Sequence, residues 1–114
     1  MVYEKTTISE LNSCDSDHAN QQVELDGIVR GLLTRHSWFT NRTTFEGWLS
    51  DGTRLLRFNG RDYRSTLYVS SLLKASSEEN KPIRVHGRFV QENCLAPLIF
   101  LHGVSYAGKS YRML

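Results

Sequence analysis

Two kinds of flat group dominate the chemistry this chain offers. One is aromatic: Trp48, and the adjacent pair Trp38-Phe39. The other is guanidinium. Between residues 27 and 64 all seven basic residues are arginine: Arg30, Arg35, Arg42, Arg54, Arg57, Arg61 and Arg64. Arginine forks onto phosphates and carboxylates and stacks on rings, which a lysine ammonium does not do. The same segment holds three acidic residues, Glu46, Asp51 and Asp62, for a net of +4, whereas residues 1–26 hold one basic and six acidic residues, a net of −5. This split carries more information than the overall +2. A solvated surface with a chance preference for arginine accounts for it equally well, because +4 is no extreme basic patch. The acidic N-terminus is also a candidate internal competitor for the arginine-rich segment.

Nothing in the sequence assembles a catalytic constellation of nucleophile, base and orienting group. His18, His36, His86 and His102 are scattered without metal-ligand spacing, and there is no CxxC. The segment GVSYAG (103–108) does not have the G-x-S-x-G pattern. AGKS (107–110) ends like a phosphate-binding loop but lacks the upstream glycine and a following helix. The expectation is a protein that is not an enzyme and that uses no metal or cofactor. Cys14 and Cys94 are too few for a disulfide framework and are expected as free thiols, a single bridge being the alternative. The N-terminus, MVYEKTTISEL, has no basic region followed by an apolar one, and no apolar run approaches the roughly 20 residues that span a bilayer. An intracellular protein of cytoplasm or nucleus, without membrane contact, is expected. The glycosylation acceptor NRT (41–43) is discounted accordingly.

What positions these groups is a set of short apolar runs punctuated by glycine: VELDGIVRGLL (23–33), FEGWLSDGTRLLRF (45–58), IRVHGRFV (83–90) and LIFLHGVSY (98–106). With 114 residues, 39% apolar and 23% charged, the chain suits one domain, residues 1–114, with a packed core. In a first strand Val23, Leu25, Gly27 and Val29 alternate with Glu24, Asp26, Ile28 and Arg30, the period of a half-buried strand. A bend or bulge is expected at Gly27 or Gly31, and past Gly31 the faces of Leu32 and Leu33 stay unassigned.

A second strand, about Thr43 to Ser50, puts Phe45, Gly47 and Leu49 inward and Thr44, Glu46 and Trp48 outward. Asp51-Gly52 marks a hairpin, since glycine accepts the positive φ of a tight turn. In the third strand Leu56 and Phe58 point inward, and Leu55, Arg57 and Asn59 outward. In the fourth, Ile83, Val85, Gly87 and Phe89 point inward, and Arg84, His86 and Arg88 outward. The fifth, PLIFLHGVSY (97–106), is apolar on both sides near its start, which suits a strand covered on both faces or one bearing a partner contact.

Between the third and fourth strands, residues 62–76 read as a helix. Asp62 would be its cap, Tyr68, Val69, Leu72 and Leu73 its apolar stripe, and SSEENKP its end. Thr7 with Glu10 reads as a capping box for a helix of one or two turns that plugs an open end of the barrel. Residues 12–20 read as a polar loop.

The pattern resembles the OB-fold superfamily in its single-strand nucleic-acid-binding and anticodon-binding branch. Members of that branch show V-x-[VL]-x-G-x-V in strand one, which Val23, Leu25, Gly27 and Val29 match. They show [FLI]-x-[LI]-x-D-G-T across the first hairpin, matched by Leu49, Asp51, Gly52 and Thr53. They show V-x-G in strand four, matched by Val85 and Gly87, and an apolar last strand, matched by Ile99 and Leu101. Each piece is mainly a packing requirement of a barrel; it is their joint order over residues 7–106 that carries the resemblance. It implies an all-β architecture: a five-stranded Greek-key barrel at about 21–106, with one helix between strands 3 and 4 and a short N-terminal helix.

The resemblance further implies binding of single-stranded nucleic acid, DNA favoured over RNA, across strands two and three, flanked by the one–two and four–five loops. The outward face there offers Trp48, Arg57, Leu55, Thr44, Glu46 and Asn59. The one–two loop (34–42) offers Arg35, His36, Trp38, Phe39 and Arg42, and the four–five loop (91–97) is short and without positive charge. The candidate nucleic-acid-binding residues are thus Trp48, Arg57, Trp38, Phe39, Arg30, Arg35, Arg42 and Leu55. Trp48 has three possible coverings: a base, a protein partner or the chain's own N-terminal segment. Trp38 and Phe39 either clamp a base or tuck back onto the barrel mouth. Arg57 and Arg30 hold phosphates or pair with Glu46 and Asp26 across strands. The alternative is a small OB subunit that binds protein through the Trp48 face or a sheet edge, in a replication-, repair- or telomere-type single-strand-binding complex.

Overall fold

The computed structural model describes residues 3–12, 21–40, 42–62, 68–92 and 95–112. The polar loop expected at 12–20 falls almost wholly outside them, as do Cys14, His18, Arg64 and Cys94. The elements in chain order are β1 (Glu4–Lys5), α1 (Ile8–Leu11), β2 (Gln22–Ser37), β3 (Arg42–Ser50), β4 (Leu55–Asp62), α2 (Tyr68–Glu79), β5 (Ile83–Glu92), β6 (Leu95–Tyr106) and β7 (Lys109–Arg112). Strands β2 to β6 form the closed five-stranded barrel, in the order β2-β3-β4-β6-β5, with β5 pairing back onto β2. Closure depends on β2. Its first half, Gln22 to Gly27, pairs with β5, and its second half, from Ile28, pairs with β3.

The period-two reading of β2 to β5 describes the interior. Val23, Leu25 and Val29 of β2, Phe45 and Leu49 of β3, Leu56 and Phe58 of β4, and Ile83, Val85 and Phe89 of β5 are all buried. Ile99, Leu101 and Val104 add β6 to the same cluster, and Ile8, Leu11, Val69 and Leu73 add both helices. Burying one such side chain contributes about 1.5–3 kcal/mol. At Gly87 the backbone of β6 comes so close that an added Cβ would lie 2.0 Å from the Phe100 carbonyl oxygen.

Several boundaries differ from the sequence reading. The segment 34–42 is not a loop: β2 runs to Ser37 and β3 starts at Arg42, so the two form a long hairpin whose turn begins at Trp38. Cross-strand backbone hydrogen bonds supply what its polar residues do not advertise. Most of the expected loop 91–97 is strand, since β5 runs to Glu92 and β6 begins at Leu95; residues 93–94 lie outside the described set. Asp62 is the last residue of β4 and not a helix cap, and α2 begins at Tyr68.

Helix α2 also continues through Glu79 instead of stopping at Ser76, because its last turn is anchored. Ser76 is fully buried; its hydroxyl accepts from the Val29 amide at 3.2 Å and donates to the Lys81 carbonyl at 2.7 Å. Tyr106 donates to Glu79 at 2.6 Å. Asn80, with φ 57, then ends the helix in the left-handed conformation that such caps use.

The N-terminal turn of helix forms as read. The Glu10 amide donates to Thr7 Oγ1 at 3.2 Å, and the Glu10 carboxylate accepts from the Thr6 hydroxyl at 2.8 Å. Two strands were not anticipated. β1 pairs in parallel with β2 at Val23 and Glu24, and β7 folds back on β6 through an Ala107-Gly108 turn with both φ values positive. AGKS is therefore a hairpin turn. Among the described residues no helix is long and apolar enough to cross a membrane.

Candidate nucleic-acid interface

The outward face of β2, β3, β4 and β6 is a lattice of cross-strand rows. Residues directly opposite in a ladder project to the same side, so the register specifies each row. The first is Arg30, Trp48, Arg57 and Leu98; the second is Leu33, Glu46, Asn59 and Phe100; the third is Arg35, Thr44 and Arg61. On β3 and β4 the rows are two residues apart, about 7 Å. Leu33 reaches the second row because β2 carries a bulge between Arg30 and Leu33, with Gly31 at φ +60. The extra residue returns Leu33 to the outer face and lets Leu32 pack against the core.

The bulge also seats Trp48. A Cβ placed on Gly31 would lie 3.3 Å from Trp48 Cδ1, so the indole rests against the bare backbone of the bulge. It remains 42% exposed. A shallow groove of about 190 Å³ opens beside it, lined by Gly31, Leu33, Glu46, Gly47, Trp48 and Arg57. A larger one of about 400 Å³ shares Leu33 and Glu46 with it and continues past Arg35, Thr44, Asn59, Arg61 and Phe100. The two make one channel crossing the strands.

Its electrostatics are set by three arginines and one carboxylate. Arg57 Nη2 lies 3.7 Å from Glu46 Oε2, and both side chains are about half exposed. Such a pair contributes at most about 1 kcal/mol and gives way easily. The Arg61 guanidinium lies 5.7 Å from the centre of the Phe100 ring, a cation–π contact. Arg35 lines the channel.

The residues proposed from sequence therefore separate into two groups. Trp48, Arg57 and Arg35 meet in the channel. Arg30 stands in the Trp48 row, but its guanidinium donates to Asn80 Oδ1 and to the Val29 carbonyl, which draws it to the end of α2. Asp26, the other partner considered for it, instead takes two hydrogen bonds from Arg84, at 3.0 and 3.3 Å. Leu55 is 51% exposed opposite Ser50, at the β3–β4 turn and outside the channel. Arg42 is half-buried opposite Ser37 at the foot of the hairpin turn. Trp38 and Phe39 at the tip are 90% and 101% exposed and do not tuck back onto the barrel.

Leu33, Arg61 and Phe100 line the channel and were not proposed. Arg61 was legible as the next outward position after Arg57 and Asn59, and Phe100 as the neighbour of inward Ile99. Leu33 was not legible, because a bulge changes which face every later residue takes.

No protein-family model matches this sequence, and no curated protein is similar to it in sequence. Solved structures do share its fold. RecG bound to a three-way DNA junction superposes with a TM-score of 0.59 at 16% identity, over 93% of this chain and 13% of the RecG chain. This chain thus spans about an eighth of RecG's length. The SSB domain of a Synechococcus sp. protein matches with a TM-score of 0.51 at 14% identity, over 79% of this chain and 98% of that domain. The OB domain of a Thermoplasma acidophilum protein matches with 0.52 at 13% identity, over 97% of this chain and 87% of that one. At these identities the likeness is one of fold.

Proposed function

We propose that this OB-fold barrel binds single-stranded nucleic acid, DNA in the first instance, along the channel that crosses β2, β3, β4 and β6. One observation carries the reading: a half-exposed tryptophan seated on a backbone bulge opens into a groove whose cations are all arginine. Trp48 offers a flat platform for a base, and stacking of this kind contributes about 1–3 kcal/mol per base. Arg35, Arg57 and Arg61 hold phosphates, and Arg61 also braces Phe100 as a second platform. RecG, of which about an eighth of the length shares this fold, is bound to a DNA junction in its structure, and that supports nucleic acid as the ligand class.

Three phosphate contacts imply a modest salt dependence, with log affinity falling against log salt at a slope of about −2 for a single strand. The test is a titration of tryptophan fluorescence with single-stranded DNA and RNA at two salt concentrations, in a Trp38→Phe background so that Trp48 alone reports. Trp48→Ala, followed by anisotropy of a labelled oligonucleotide, is expected to weaken binding at least tenfold while the fold survives. Unchanged affinity would sink the reading.

A second reading is favoured by the hairpin tip. Trp38 and Phe39 stand roughly 10 Å beyond Arg35 along the strand, almost fully exposed. That is the placement of an anchor for a protein partner, since aromatic residues are enriched at such contacts. The double variant Trp38→Ser/Phe39→Ser separates the two. Retained oligonucleotide affinity assigns the tip to protein; a large loss assigns it to nucleic acid.

A further inference from the structure

The channel holds a carboxylate where a phosphate-binding surface has no use for one. Glu46 lies at its centre and lines both of its parts. It occupies the middle row, between the row of Trp48 and Arg57 and the row of Arg35 and Arg61. A carboxylate repels phosphate, so a strand lying in this channel turns something else toward Glu46. The remaining chemistry is the edge of a base. Ionised carboxylate oxygens only accept hydrogen bonds, so the edge must present N–H donors.

The bases differ sharply on this point. The pairing edge of guanine presents two parallel donors, N1–H and the N2 amino group, which match the two oxygens of a carboxylate. Cytosine and adenine each present one amino group beside a ring nitrogen that is itself an acceptor and would face the second oxygen. Thymine and uracil present one N–H between two carbonyl oxygens. Asn59 stands directly opposite Glu46 on β4 and carries the amide N–H that guanine O6 would accept. Arg57 Nη2 lies 3.7 Å from Glu46 Oε2, beyond hydrogen-bond distance, so the carboxylate keeps its acceptor capacity. Trp48 in the neighbouring row and Phe100 in the same row supply rings to either side.

We propose that Glu46 makes this channel selective for guanine, by accepting two hydrogen bonds from its pairing edge. The inference rests on the channel being the nucleic-acid path. Glu46 then acts as a reader of base identity, and its negative charge weakens binding of every strand that lacks the matching donors.

The test uses the full chain and a labelled oligothymidylate of about a dozen nucleotides, with a central position changed in turn to guanine, inosine, cytosine or adenine. Binding is read by fluorescence anisotropy. The guanine strand is expected to bind about tenfold tighter than the thymine or cytosine strands, the range of a good bidentate base contact. Inosine, which keeps N1–H and lacks the N2 amino group, is expected to fall between. In Glu46→Gln the guanine strand weakens and the all-thymine strand tightens, so the preference collapses to within about twofold. Circular dichroism checks that the fold is kept, and Glu46→Asp is expected to restore part of the preference.

Binding of all strands with equal affinity by the wild-type protein would overturn the selectivity and leave the channel standing. A preference that survives in Glu46→Gln would overturn the role of Glu46. Absence of binding to any strand at low salt would overturn both.

Discussion

The barrel has two outward faces built from similar residues, and among the described residues they differ in how far the protein satisfies those groups itself. On the β5–β6 side, Arg84, His86 and Arg88 alternate outward on β5, and Phe100 and His102 on β6. Here the chain's own N-terminus supplies the cover. The Tyr3 ring lies 4.8 Å from His86 and 6.1 Å from His102, and its hydroxyl sits 3.1 Å from His102 Nδ1. Arg84 is held by the two hydrogen bonds it donates to Asp26. On the β3–β4 side, Trp48 and Leu33 stay 42% and 43% exposed, and among the described residues Arg57 meets Glu46 in a long contact at 3.7 Å. Phe100 belongs to both, edge-on to His102 at 6.2 Å and under Arg61. Arginine and ring content do not distinguish the two faces. What distinguishes them is whether the protein satisfies those groups itself.

The largest expected effect removes both faces together. Gly87→Ala places a methyl group against the Phe100 carbonyl oxygen at 2.0 Å, where backbone and not a flexible side chain must give way. A loss of about 3 kcal/mol or more is expected in chemical denaturation, as for severe overpacking.

Next comes the pair of substitutions that separates the faces. Trp48→Ala is expected to cost at least tenfold in oligonucleotide affinity, about 1.4 kcal/mol, with little change in the denaturation midpoint. Tyr3→Ala should do the reverse. It lowers stability by about 1 kcal/mol, the order of one hydrogen bond with its ring contacts, and leaves affinity within about twofold. If Tyr3→Ala weakens binding as much as Trp48→Ala does, the covered face takes part in binding and the comparison breaks.

The covered face should also respond to pH. Burial pushes His86 and His102 below the ordinary histidine value, with Arg112 adding to the effect on His86, and Arg88 and then Arg112 on His102. The unfolded chain then binds protons that the folded chain refuses. Stability is therefore lost as pH falls through 6.5 and stops falling once pH lies below the lowered folded values. Denaturation midpoints taken above and below that range should show the decline. Replacing both histidines by glutamine should flatten it.

The smallest effect expected is that of Arg61→Ala. It should reduce the salt slope by about 0.7, the contribution of one phosphate contact to a single strand, with a loss of only a few-fold at low salt. An unchanged slope would assign Arg61 to bracing Phe100 and nothing more.

Much of the open face was legible in advance, for a physical reason. Period two is set by the pleat, so once Phe45, Leu49, Leu56 and Phe58 are inward, Trp48 and Arg57 have to be outward. The same rule reached Arg61 had it been continued two residues further. It could not reach Leu33, because the bulge at Gly31 adds a residue on β2 alone. Nor could it show that Arg30 would leave the Trp48 row, since the Asn80 oxygen that takes its guanidinium is fifty residues away. The hairpin arms at 34–42 read as loop for a related reason: their strand character comes from the ladder between Arg35 and Thr44 and its neighbours, not from apolar alternation.

By itself, then, the sequence determined where the barrel strands lie along the chain, which side chains fill the interior, and that Trp48 and Arg57 both point outward. Local backbone geometry and hydrophobic periodicity suffice for these. Tertiary structure alone decided which outward groups the protein itself satisfies. Tyr3 reaches His102 from ninety-nine residues away in sequence, Ser76 and Glu79 carry α2 past its expected end, and a single bulge brings Leu33 and Arg35 alongside Glu46. Each of these depends on contacts between segments that no local pattern records.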